Sequence, residues 1–211
     1  MTNDIAREFR SMLNDILLKE QISTVTFQVI TVGMSLDILF KSGMISKLIP
    51  SFRGVYNYNQ NNPHHKFLLH EHIISVVENT PLDLELRLAA LFHDVAKPLC
   101  ESKDEQGISH FFGHDLQSSK LAIKEMTRLG YEEQTIKNVA GLIRHHMKIH
   151  NGIKDRGIKK ILKDIGNEQF EKLLQLFYAD IGGKNCEQKD IDKIENVRSI
   201  YNRIKEMDIN G

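Results

Sequence analysis

Apolar residues recur along this chain at helical spacing, and the pattern predicts an all-α protein. Ile5, Phe9, Met12, Leu13, Ile16 and Leu17 share one face of a helix over Asp4–Leu18. A more uniformly apolar stretch, Thr26–Lys41, keeps the three-four spacing through MSLDILF and stops at Ser42-Gly43. Met44–Leu48 is a short turn of helix halted by Pro50, and the Asn- and Tyr-rich stretch Ser51–His64 reads as a loop. Further helices are expected over Phe67–Asn79, from a Thr80-Pro81 start to near Lys97, over Gly113–Leu129 and over Glu132–His146. Three more follow: Arg156–Ile165 up to Gly166-Asn167, Phe170–Asp180, and Asp190–Met207. Between them, Glu101–Gly107 and Ile149–Lys154 read as loops.

Polar residues interrupt these apolar faces at particular places. His72 shares a face with Leu68, Leu69 and Val76. His93-Asp94 lies within the run RLAALFHDVAKP, with small Ala89 and Ala90 on the histidine's side. His146 lies on the face of Val139, Leu142 and Ile143, whereas His145 is turned about 100° away. Asp180 lies with Leu173, Leu176 and Phe177, and His114 opens a helix. Polar groups aimed at a core are costly unless partnered. A salt bridge, a helix cap or a divalent ion would each serve.

Composition sharpens this. At 211 residues the chain is long enough for one substantial core, and a single domain is expected. Its parts would be an N-terminal helical extension (1–50), a core (60–185) and a C-terminal helix (186–211). The 28 basic and 28 acidic residues cancel, so any anionic partner must be drawn by a local patch. One such run lies between Arg144 and Lys163, where Arg144, Lys148, Lys154, Arg156, Lys159, Lys160 and Lys163 face only Asp155. It is either a solvated face or a polyanion-binding rim. Two distant cysteines argue against a disulfide framework, and no signal peptide or membrane-length apolar run is seen. A cytoplasmic, non-membrane protein is expected. All ten histidines fall between His64 and His150, which favours a metal or catalytic centre in mid-chain. Imidazole and carboxylate suit manganese, iron, nickel, cobalt or zinc, and a helical bundle can aim them inward.

The order H…HD…H…H…D resembles the HD superfamily of metal-dependent phosphohydrolases. The strings LDILFKSGMISKLIP, QNNPHH, HEHI, LRLAALFHDVAKP, FFGHD, LIRHHM and YAD are more similar still to the HD-containing body of CCA-adding tRNA nucleotidyltransferases. The likeness runs from about Leu36 to Asp180. Those enzymes carry a nucleotidyl-transfer head before this region. The first 35 residues show neither its strand-rich pattern nor its paired aspartates, so a body without the head is expected, and CCA addition is not.

The resemblance implies an HD-domain helical bundle holding one or two divalent ions (manganese, nickel, cobalt, iron, magnesium or zinc). His72, His93, Asp94 and Asp180 would ligate the first, and His114 and His146 the second, with Asp94 shared. His93, Asp94 and Lys97 would carry catalysis; His65, Lys97, Arg144 and Lys148 would touch substrate. The usual glycine before the lysine is Ala96 here, which a helix favours. His64, His70, His110 and His150 are left without a role. The expected activity is hydrolysis of phosphoesters in nucleotides or RNA ends, 2′,3′-cyclic phosphates included. The alternatives are an RNA- or tRNA-binding accessory module with a vestigial site, and a nucleotide triphosphohydrolase. Oligomeric state is open.

Overall fold

The computed structural model describes residues 3–18, 31–63, 67–150, 153–182 and 188–209. Its helices are α1 (Asn3–Leu17), α2 (Val32–Lys41), α3 (Met44–Leu48), α4 (Leu69–Asn79), α5 (Leu84–Phe92), α6 (His114–Arg128), α7 (Glu133–His150), α8 (Asp155–Gly182) and α9 (Gln188–Ile209). Among the described residues the fold is all-α apart from an antiparallel hairpin of two-residue strands, β1 (Ser102–Lys103) against β2 (Ser109–His110). The loop expected over Glu101–Gly107 is present as the turn of that hairpin, with only Ser102 and Lys103 of it paired as strand.

The bundle is organised around α5, which touches α1, α4, α6, α7 and α8. Every residue from Leu86 to Phe92 is buried, as expected of a short helix enclosed on all sides. Its start is fixed by Asp83, whose carboxylate accepts from the Leu86 amide at 2.9 Å. Thr80 and Pro81, expected as cap and first helical residue, lie before it, and Thr80 instead closes α4. Lys172 of α8 binds Asp83 at 2.9 Å and Glu85 at 2.8 Å, tying α8 to this same end. The buried Arg87 donates to the Leu17 and Thr80 carbonyls and so joins α5 to the ends of α1 and α4.

The far end of α5 departs from the expected run to Lys97. The helix stops at Phe92 with His93 as its C-cap, and a turn leads into a 3-10 segment over Lys97–Leu99. Two contacts accompany the stop: His93 Nδ1 donates to the Ala90 carbonyl at 2.7 Å, and the Ala96 amide donates to Ser118 Oγ at 3.1 Å.

Other boundaries move less. Helix α2 begins at Val32, capped by Thr31, and the rest of its expected start lies outside the described residues. Helix α7 runs four residues past His146, to His150. The two helices expected on either side of Gly166 run on as α8, with non-helical backbone at that glycine. One apolar cluster runs from Phe9 to Ile204 and joins the amino-terminal helices to the bundle.

Candidate metal centre

Five elements deliver side chains to one buried point. His72 comes from α4, His93 and Asp94 from the turn closing α5, His114 from the first residue of α6, His146 from α7 and Asp180 from α8. Gly113 has a φ of 78°, a backbone open mainly to glycine, and this sharp entry puts His114 at the very start of α6. All six side chains are buried. They form two triads: His72, His93 and Asp180; and Asp94, His114 and His146.

Asp94 stands between the triads. Its Oδ2 lies 3.3 Å from His72 Nε2 and 3.2 Å from His93 Nε2. Its Oδ1 lies 3.1 Å from His114 Nε2 and 3.8 Å from His146 Nε2. The two imidazoles of each triad also meet through Nε2, at 3.2 Å for His72 with His93 and 3.3 Å for His114 with His146. Asp180 Oδ1 completes the first triad, 3.1 Å from His72 and 3.8 Å from His93.

Backbone carbonyls fix the tautomers. Nδ1 of His93 faces the Ala90 carbonyl at 2.7 Å, Nδ1 of His114 the Phe111 carbonyl at 2.7 Å, and Nδ1 of His146 the Ile143 carbonyl at 2.6 Å. A carbonyl only accepts, so each Nδ1 carries the proton and each neutral ring turns a bare Nε2 lone pair inward. With both rings of the second triad neutral, two such lone pairs and a carboxylate oxygen converge on one point. That arrangement is repulsive unless a cation lies among them.

Protonation of a ring could relieve it, but burial pushes His146 below its ordinary pKa, with the Asp94 hydrogen bond only partly offsetting this. For Asp94, burial acts to raise the pKa. When the surrounding rings are protonated, the charges of His93 and Lys97 and hydrogen bonds from His114 and His146 outweigh it and hold the carboxyl well below its usual range. Neutral imidazole and ionised carboxylate are the ligating forms. With metal–ligand bonds of roughly 2.1 Å, neighbouring ligand atoms lie about 3.0 Å apart at right angles and about 3.4 Å apart at the tetrahedral angle. The observed spacings of 3.1 to 3.8 Å overlap that range, so the residues fit a divalent ion.

Lys97 is buried beside the centre, its Nζ 2.7 Å from Asp94 Oδ2 and 2.7 Å from Gln60 Oε1. A cleft of about 180 Å³ opens onto Asp94, Lys97 and His114, walled by Asn62, Met147 and the aromatic end of the hairpin. A larger depression of about 490 Å³ follows α9 and contains none of these residues.

A match to the HD domain covers residues 68–196, more than half of the chain and every member of both triads. The chain belongs to the HD domain family. This HD protein is also 34% identical over 121 residues to a CC-adding tRNA nucleotidyltransferase of Thermus thermophilus, covering 54% of this chain and 28% of that protein. It is 31% identical over 111 residues to an A-adding tRNA nucleotidyltransferase of Deinococcus radiodurans, covering 50% of this chain and 25% of that protein. The matches thus span only about a quarter of these relatives' length.

The structure brings His72, His93, Asp94, Lys97, His114, His146 and Asp180 together. Arg144 and Lys148 are exposed on α7 and are not among the residues lining the cleft. His65 lies outside the described residues. In the sequence, the shared apolar face favours His146 over His145. His145 is nonetheless buried, with Nε2 2.6 Å from Asp164 and Nδ1 accepting from Lys148 Nζ at 2.8 Å. Its partners lie on α8 and one turn along α7, which no local pattern reveals. Burial, then Arg144 and Lys160, lower the Lys148 pKa. Among the described residues no helix is long and apolar enough to cross a membrane.

Proposed function

We propose that this HD protein is a metal-dependent phosphohydrolase acting on phosphoester bonds of nucleotides or RNA ends, 2′,3′-cyclic phosphates included. The observation that carries the reading is Asp94, whose two oxygens each serve one triad. A carboxylate so placed suits a pair of ions, with His72, His93 and Asp180 as ligands of one and His114 and His146 of the other. Divalent ions there would supply Lewis acidity, activating water and offsetting charge on a phosphoryl oxygen. The chain's own part is to turn its imidazole Nε2 atoms and its carboxylates onto the centre, to keep that centre buried, and to keep the Lys97 ammonium beside the reacting phosphate. Arg144 and Lys148 lie on an exposed basic face suited to a polyanion. The choice of RNA ends draws on the relatives, whose names give tRNA as their substrate.

The test is turnover of bis-p-nitrophenyl phosphate and 2′,3′-cyclic AMP by the purified protein with manganese or nickel. Hydrolysis that His93→Ala and Asp94→Ala abolish is the expected result. Full turnover in both variants refutes the chemistry. Salt-dependent RNA binding without metal-dependent turnover would favour an accessory RNA-binding role.

A further inference from the structure

One wall of the cleft is not used by the chemistry above. It consists of the β1–β2 hairpin and the residues leading into α6. Asp104 fastens the hairpin's tip. Its Oδ1 accepts from the Gln106 amide at 3.0 Å and the Ile108 amide at 2.9 Å, and its Oδ2 from His110 Nε2 at 2.9 Å. The loop before α4 fastens the second strand: Asn62 Nδ2 donates to the Ser109 carbonyl at 2.8 Å, and the Ser109 amide to the Asn61 carbonyl at 3.1 Å. Phe112 lies parallel to the anchored His110 ring, with centroids 5.6 Å apart and 7° between planes.

The two phenylalanines here have opposite fates. Phe111 turns inward, 9% exposed and under the Lys97 ammonium, whereas Phe112 is 81% exposed. A lone exposed phenylalanine needs no explanation. Phe112, however, borders the same cleft as Asp94, Lys97 and His114. A fixed aromatic ring lies parallel to it and offset to one side, and its high exposure leaves most of its surface in water.

We propose that Phe112, backed by His110, is a stacking platform for the nucleobase of a phosphoester whose phosphate is held at the Asp94 centre. A planar, sequence-tolerant surface is what a base requires, and such stacking is a general device for holding nucleotides. This assignment deepens the phosphohydrolase reading and rests on it for the position of the phosphate, but its test needs no turnover.

The chain contains no tryptophan, so Phe112→Trp places a single fluorophore in the cleft. AMP should quench its emission saturably, and ribose 5-phosphate should not. By calorimetry, Phe112→Ala should lower the ratio of AMP affinity to ribose 5-phosphate affinity roughly five- to hundred-fold, and Phe112→Tyr should restore it. A short oligoadenylate that quenches at lower concentration than AMP identifies the base as part of an RNA end. Equal potency identifies a mononucleotide, and either result upholds the platform. Absence of quenching by both, or an unchanged affinity ratio in Phe112→Ala, overturns it. Quenching without any metal-dependent hydrolysis removes the hydrolase reading and keeps the platform. Hydrolysis without quenching does the reverse.

Discussion

Stripping and restoring the metal should move the melting temperature by an amount the chain's size sets. The cluster is present only when α4, α5, α6, α7 and α8 are assembled, so an ion binds the folded state almost alone. At a free ion concentration about 100 times Kd, this adds about 2.7 kcal/mol to stability. Unfolding entropy of about 2.1 cal/mol/K per residue amounts to about 0.44 kcal/mol/K for 211 residues. One ion should therefore raise Tm by about 6 °C, and two independent ions by about 12 °C. The assay is a thermal melt of chelator-stripped protein titrated with manganese, nickel, cobalt, iron, magnesium and zinc in turn, with stoichiometry from calorimetry. His114→Ala should retain one ion and about half the shift, since the triad of His72, His93 and Asp180 is left whole together with the Asp94 oxygen that faces it. Asp94→Ala should lose most of the response, because both groups of imidazoles face that one carboxylate. A Tm unmoved by every ion refutes the reasoning, as does an Asp94→Ala response equal to wild type.

Other perturbations have equally definite outcomes. Lys97→Met removes a positive charge 2.7 Å from Asp94 Oδ2, so it should tighten manganese about five- to thirty-fold by titration while lowering turnover roughly 100-fold. Glu125 is buried and accepts from the Ser51 amide at 3.1 Å, Ser51 Oγ at 2.7 Å and Arg128 Nε at 2.8 Å; Glu125→Ala should cost about 3 kcal/mol in urea unfolding. Gly166 has φ 78° and ψ 172°, a region closed to other residues, and a Cβ there would meet nothing within 4 Å. Gly166→Ala should thus cost about 2 kcal/mol through backbone strain alone. For His145, burial leads and lowers the pKa below 6.5, with the Asp164 hydrogen bond opposing. The unfolded chain then takes up the proton first as pH falls, so stability is full above about 6.5 and declines below it. His145→Gln should flatten that decline, read as urea midpoints at about pH 7.5 and about pH 5.5.

The helices and the inward histidines were legible because each depends on spacing within one segment. Apolar residues three and four apart mark a buried face, and His72, His146 and Asp180 fall on such faces. What spacing could not convey was any feature settled by a distant partner. Asp83 displaces Thr80 as the cap, and Lys172, some ninety positions away, fastens that same end to α8. The hairpin is held by Asn61 and Asn62 from another loop. Phe112 looks like core in a string of aromatics, and only the assembled hairpin separates it from Phe111.

The end of α5 shows why such a partner matters for the chemistry. In a continuing helix, His93 and Asp94 would point about 100° apart, and only one would face a given centre. Pro98 suggested a stop near Lys97, but the stop comes at Phe92. There the His93 side chain accompanies the stop by donating to the Ala90 carbonyl, while the Ala96 amide goes to Ser118 on α6. In the turn that follows, both side chains face the centre. His93 Nε2 lies 3.2 Å from Asp94 Oδ2, while the other Asp94 oxygen reaches His114. The adjacent pair thus faces one point because the helix ends beneath it, and Ser118→Ala tests this. Without the hydroxyl, the Ala96 amide loses a buried partner, at a cost of about 1–3 kcal/mol. A turn so loosened should weaken metal binding although Ser118 touches no ligand atom. Loss of stability in urea with unchanged manganese affinity would show that the turn is held by packing alone.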